Sequence, residues 1–153
     1  MSKPSQPSRA KASGKLYSEL NARYFGGRLP PYRIVRNLSV LGEFDGRCDL
    51  EHRTIRIKRG LSAVPERERQ TLLHEMIHVA VGYGHGAAFQ EQLAALARQG
   101  ERWAERERRD LVRQERRTVR RVLAVWFDVP QRVVPDEQVE RVLARSMRTP
   151  SRT

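Results

Sequence analysis

The chain has 153 residues and a single cysteine, Cys48, so no intramolecular disulfide can form and a Cys-rich structural zinc module is excluded. It has no apolar run approaching the ~20 residues of a membrane-crossing helix. Its opening Met-Ser-Lys-Pro-Ser-Gln-Pro-Ser-Arg lacks the apolar stretch of a secretory leader. These absences lead us to expect a cytoplasmic protein with no membrane partner. Acidic residues are outnumbered: 18 Asp and Glu face 30 Lys and Arg, a formal charge of +12. A field of that sign attracts polyanions, nucleic acid first among them. Lys3, Arg9, Lys11 and Lys15 precede the first acid, Glu19, and Arg106, Arg108, Arg109, Arg113, Arg116, Arg117, Arg120 and Arg121 crowd a later segment. Either group could hold phosphates without reading base sequence. Interleaved with Glu101, Glu105, Glu107 and Glu115, the later arginines could equally form a solvated, ion-paired face.

Histidine is scarce too, and three of the four fall in His74-Glu75-Met76-Ile77-His78 and Gly84-His85-Gly86. Residues four apart lie on one face of a helix, one turn from each other, so His74 and His78 can both present a ring nitrogen to one ion. Zinc held by three protein ligands keeps an open position, acidifies water and polarises a carbonyl, and a carboxylate beside it can move the proton. Glu75 is placed for that role. The surrounding segment, Pro65 to Gly82, reads as a helix: proline suits the first turn, Leu72, Leu73, Met76, Ile77, Val79 and Ala80 recur at helical spacing, and glycine ends it.

Gly82 and Gly84 let the chain break and turn, which can return His85 as third ligand. Six residues separate His78 from His85, one more than the metzincin pattern HExxHxxGxxH allows. A glutamate from a following helix, as gluzincins use, is the other option, and Glu91 is the candidate. Tyr83, between the two glycines, could stabilise an oxyanion or pack the loop. His52, between expected strands, reads as a solvated turn residue.

Along the chain, residues 1–12 are rich in Ser, Pro and Lys and are expected to be a disordered basic tail. A helix is expected from Ser13, with Leu16, Tyr17, Leu20, Tyr24 and Phe25 apolar and Gly26-Gly27 ending it. Tyr32–Arg36, Val40–Asp45, Arg47–Leu50 and Thr54–Lys58 read as strands whose short links predict an antiparallel sheet. After the histidine-bearing helix, 86–99 is expected to be helical. Trp103–Phe127 reads as a long basic helix packed through Leu111, Val112, Val119, Val122, Leu123 and Trp126. A short helix is expected over Asp136–Met147. The fold class is thus α+β: a zincin-like core over 13–100 (helix, small antiparallel sheet, HExxH helix and following helix) and a basic helical extension over 101–153.

Leu20-Asn21-Ala-Arg-Tyr24-Phe25-Gly-Gly-Arg-Leu29-Pro30, then Arg53-Thr-Ile-Arg-Ile57, Leu72-Leu-His74-Glu-Met-Ile-His78, and His85-Gly86 with Phe89 make the chain resemble the SprT-like, or Spartan-type, zinc metallopeptidases. The resemblance implies zinc ligands at His74, His78 and His85, a catalytic Glu75, and protein substrates. From the eukaryotic relatives it further implies proteins crosslinked to DNA. Many such proteins add a cysteine-rich ribbon, which Cys48 alone cannot build. The arginine-rich helix could replace it in gripping DNA without sequence preference, with Trp103 or Trp126 stacking on an unpaired base or serving as a packing anchor. The expected product is a monomeric Zn2+-dependent endopeptidase whose substrate pairs with a sheet edge, plausibly the strand around Thr54–Lys58. The alternatives are a zinc-containing nucleic-acid-binding adaptor and a helical interaction protein.

Overall fold

The computed structural model describes residues 9–37 and 45–146. The chain divides into two compact units, residues 1–84 and 85–153.

The first unit starts with α1 (Arg9–Phe25), which buries Tyr17, Leu20, Tyr24 and Phe25 along one face. The helix begins four residues ahead of the expected Ser13, because Arg9-Ala10-Lys11-Ala12 are all strong helix formers. Residues 1–8 of the expected tail lie outside the described residues. Gly26 and Gly27, at φ 63° and 71°, end the helix in the left-handed region that glycine tolerates. Asn21 then clamps the returning chain: its Nδ2 donates to the Leu29 carbonyl at 2.9 Å and its Oδ1 accepts from the Leu29 N–H at 3.1 Å. The Tyr17 hydroxyl donates to the Pro30 carbonyl at 2.7 Å. Asn21, Leu29 and Pro30 therefore aim the first strand rather than do chemistry.

Three short strands follow, β1 (Arg33–Arg36), β2 (Gly46–Asp49) and β3 (Thr54–Ile57), in the order β1-β3-β2. β2 and β3 form an antiparallel hairpin, and β1 lies parallel to β3. The sheet is thus mixed, not antiparallel as expected. The β2–β3 link is a tight turn, whereas nine residues lie between β1 and β2 in the sequence, enough for β2 to pair on the far side of β3 and leave β1 and β3 running the same way. Residues 40–44 of the expected strand Val40–Asp45 lie outside the described residues, and Asp45 is a bend.

β3 is central, with Thr54, Ile55 and Ile57 buried and Arg56 exposed. After a 3₁₀ turn at Arg59–Ala63, α2 (Pro65–Val81) packs over β2 and β3. Leu72, Leu73, Met76 and Ile77 are essentially fully buried, each worth roughly 1.5–3 kcal/mol of transfer free energy. Arg36 of β1 donates through Nε to the buried Glu68 of α2 at 2.7 Å, so this buried carboxylate is paired.

The second unit is helical. α3 (Ala87–Arg98) buries Phe89, Leu93 and Leu96 and packs on α4 (Arg102–Phe127) after a break at Gly100, φ 99°. α5 (Asp136–Ser146) turns back along α4, where Val134, Val139 and Leu143 cluster with Ala124 against Val119, Leu123 and Val129. Ion pairs Arg116–Glu140, at 2.6 Å, and Arg120–Asp136 border this seam. Val119 and Leu123 pack as expected, but Val122 and Trp126 are 55% and 81% exposed, which corrects their place in the packing stripe. The chain returns over the Ala124 side of the helix, where the Val129 N–H bonds the Ala124 carbonyl. Val122 and Trp126 each lie ~160° around the helix from that side. Among the described residues no helix is long and apolar enough to cross a membrane.

Candidate metal centre

Helical spacing sets His74 and His78 one turn apart on α2, with ring centroids at 5.1 Å and planes at 68°. His78 is buried and His74 half-buried. The helix stops at Gly82, φ 92°, whose N–H donates to the His78 carbonyl at 2.8 Å. The Gly82 carbonyl in turn lies 3.0 Å from His78 Nδ1. A proton on Nδ1 satisfies that contact and leaves Nε2 as the lone-pair donor, so a backbone carbonyl can fix the orientation of a ligating imidazole. Gly84, at φ 89°, continues the turn.

His85 follows, and ligand atoms of His74, His78 and His85 all lie within 4.8 Å of one another. The three side chains could hold one metal ion, and an all-imidazole donor set suits zinc among the common divalent ions. His85 is exposed; its ring meets Phe89 edge-on at 4.6 Å, and its carbonyl accepts from Gln90 Nε2 at 3.3 Å. Glu91 is exposed and is not part of this group.

Glu75 is 5% exposed. It lies on the side of α2 that meets β2, where Gly46 comes so close that a Cβ there would stand 2.8 Å from Glu75 Oε1 and 3.0 Å from its Cγ. Cys48 shares that face of β2, two residues on. Burial pushes its thiol up to about 12, and the charges of Glu75 and then Asp49 add to the shift. β2 thus runs beside the Glu75 side of α2. The tip of the loop after α2 is tied to it as well: the Leu50 N–H donates to the Tyr83 hydroxyl at 3.0 Å. The rest of Tyr83 is largely uncovered, the residue being 69% exposed.

His52 is an exposed turn residue, its N–H donating to Asp49 Oδ1 at 2.9 Å and its ring Nδ1 3.0 Å from Oδ2. The backbone bond from His52 is the main cause that holds the Asp49 carboxyl below its ordinary range. Two placements differ from expectation. β3, around Thr54–Lys58, is paired on both sides and offers no free edge; among the described residues β2 is the edge beside Glu75. Gly46, expected in a link between two strands, is a strand residue of the site. A lone glycine among strand residues is a signal of close backbone approach, and it stood in the sequence to be used.

No curated protein and no solved structure matches the chain. A sequence model of the SprT-like family matches residues 13–109, a span holding most of α1, the three described strands, α2 with its histidines, and α3. The match covers more than half of the sequence, and the chain belongs to the SprT-like family.

Proposed function

We propose that the protein is a zinc-dependent metalloendopeptidase that cleaves proteins bound or crosslinked to DNA. The observation that carries this reading is the approach of His74, His78 and His85 to one another beside a buried Glu75. Zinc, held by those three imidazoles, would supply Lewis acidity toward a peptide carbonyl and acidify water. Glu75 accepts the proton of the attacking water and delivers it to the departing amine. In this reading residues 13–100 form the catalytic core and residues 101–153 a basic extension, in a cytoplasmic monomer.

β2 supports an extended substrate. The Lys58 N–H bonds the Asp45 carbonyl at 2.9 Å, and antiparallel pairs alternate, so Arg47 and Asp49 make the next bonds to β3. Gly46 and Cys48 therefore turn their main-chain groups outward, beside Glu75. Main-chain pairing at that edge makes selectivity for substrate sequence low.

Contact with DNA falls to α4. Arg117 and Arg121 form no ion pair among the described residues, and Arg121 adjoins Val122, Val125 and the exposed Trp126. Trp103 is half-buried with its indole N–H on Glu101 at 2.8 Å, so Trp126 is the ring left for stacking on an unpaired base. The same uncovered Val122, Val125 and Trp126 favour a second reading, an adaptor that works through α4 with little or no proteolysis.

One experiment separates the two. Zinc-loaded protein is incubated with a histone, with and without single- or double-stranded DNA, and Glu75→Gln serves as control. Cleavage by the natural chain and none by the variant is the expected result. Stoichiometric zinc with no cleavage under any of these conditions would overturn the peptidase reading in favour of the adaptor.

A further inference from the structure

We propose that Gly46 is a positioning residue for Glu75: the missing side chain at this point of β2 is what lets the Glu75 carboxylate rest in its buried orientation. The inference builds on the metallopeptidase reading and adds a residue that the histidine motif does not contain.

Two reasons can place a glycine, and they separate cleanly here. Gly82 and Gly84 have φ of 92° and 89°, and a Cβ on either would meet nothing within 4 Å, so backbone conformation explains them. Gly46 is the reverse case. It is not among the residues with positive φ, so any L-residue could adopt its backbone. Glycine there weakens the strand, having neither Cβ restriction nor a side chain to pack. Space is what demands it: a Cβ would lie 2.7 Å from Thr71 Cγ2, 2.8 Å from Glu75 Oε1 and 3.0 Å from Glu75 Cγ.

Something must shift if that Cβ is added. β2 is held by its register with β3, Gly46 opposite Ile57, and α2 is anchored by fully buried Leu73, Met76 and Ile77. Thr71 is β-branched and has only two favoured χ1 rotamers on a helix. Glu75, with three side-chain torsions, is the group that can give way, and it is the group whose direction matters. An alanine at 46 therefore displaces the Glu75 carboxylate from its buried position before it disrupts the sheet. Thr71→Ser removes the Cγ2 contact and keeps the hydroxyl, so it isolates the Glu75 contacts.

The test uses the full chain in the Thr71→Ser background, with and without Gly46→Ala. With zinc loaded, Gly46→Ala should leave metal content at one per chain and KM within about twofold, while kcat falls at least ~10-fold, toward the range that loss of a general base produces. A purely structural role would move stability and leave kcat of the folded fraction alone. On metal-free protein, denaturant unfolding completes a cycle with Glu75→Ala: the destabilisation by Gly46→Ala should shrink once the Glu75 side chain is gone. Unchanged kcat, or a cost of Gly46→Ala that is the same with and without Glu75, would overturn the proposal. If Gly46→Ala unfolds the protein and adding Glu75→Ala restores folding, the coupling is shown in its strongest form; failure of both to fold counts against it. Should the natural chain cleave nothing, the unfolding cycle still decides the contact, and the loss falls on the peptidase reading instead.

Discussion

α2 and α4 are the two helices on which the proposed function rests, and they treat charge in opposite ways. In α2, seven of 17 residues are buried, among them two glutamates and His78. Each of these polar groups has a defined counterpart: Glu68 has Arg36, His78 has the Gly82 carbonyl, and Glu75 lies against β2. In α4, only Ala104 and Ala124 of 26 residues are buried, and most of its arginines are exposed, some paired to Glu105, Asp110, Glu140 and Asp136 at the surface. A polar group taken out of water must be held in one orientation, whereas a solvated one contributes mainly through its long-range field. The first kind suits chemistry at a fixed point; the second suits a polyanion that needs no fixed register.

That contrast can be broken at several points. Glu75→Gln should retain zinc and lower kcat by ~10³-fold or more, near the upper end of what proton transfer by one side chain supplies; equal turnover would remove Glu75 from the mechanism. His85→Ala should weaken zinc binding by more than the ~10–100-fold that loss of a supporting partner costs. Undiminished metal content in that variant would reopen Glu91 as a ligand. Burial itself is tested by Leu73→Ala, expected to cost ~2–5 kcal/mol in denaturant unfolding, against Val125→Ala on the exposed side of α4, expected to stay within ~0.5 kcal/mol. Comparable costs would mean that α4 is covered.

Affinity for DNA should fall steeply with salt, and Arg117→Ala and Arg121→Ala should each reduce the slope of log affinity against log salt by about 1. A flat profile would leave α4 as a solvated face or a protein-docking surface. The smallest effect concerns Cys48. Its folded thiol titrates above its unfolded value, so its contribution to stability is complete below pH ~9 and is lost as pH rises toward 12, where the unfolded chain alone has released the proton. Unfolding curves at pH 8 and 10 for the natural chain and Cys48→Ala should diverge in that direction, and alkylation of the folded protein should be slow. Rapid alkylation would show that β2 opens.

Much of the site was legible before the fold was known. The pairing of His74 with His78, the helix that carries them, its stop at Gly82 and the return through His85 all depend on contacts within a dozen residues, where helical spacing and glycine torsions decide geometry. The duty of Asn21 is hidden inside a family-like string and that of Tyr17 in an apolar helix stripe, because a clamp on Leu29 and Pro30 is visible only when the loop is in place. The sequence marks the strand residues of β1, β2 and β3 but not their connections: short links favour antiparallel neighbours, whereas β1 runs parallel to β3. α4 carries two apolar stripes, and a helical wheel cannot say which of them α5 will cover.

The sequence by itself determined that three imidazoles and a carboxylate would occupy one turn-and-loop segment, since a period of 3.6 residues and two left-handed glycines leave little choice over so short a span. Only the tertiary structure decided that β3 would be central and β2 the edge, that Gly46 would lie against Glu75, and that Trp126 would face solvent. Those outcomes depend on how segments far apart in the chain share the burial of Ile55, Ile57, Leu73 and Met76 in one unit, and of Val139 and Leu143 in the other. Such contacts are chosen by the total apolar surface removed from water, a sum over the whole fold that no local pattern contains.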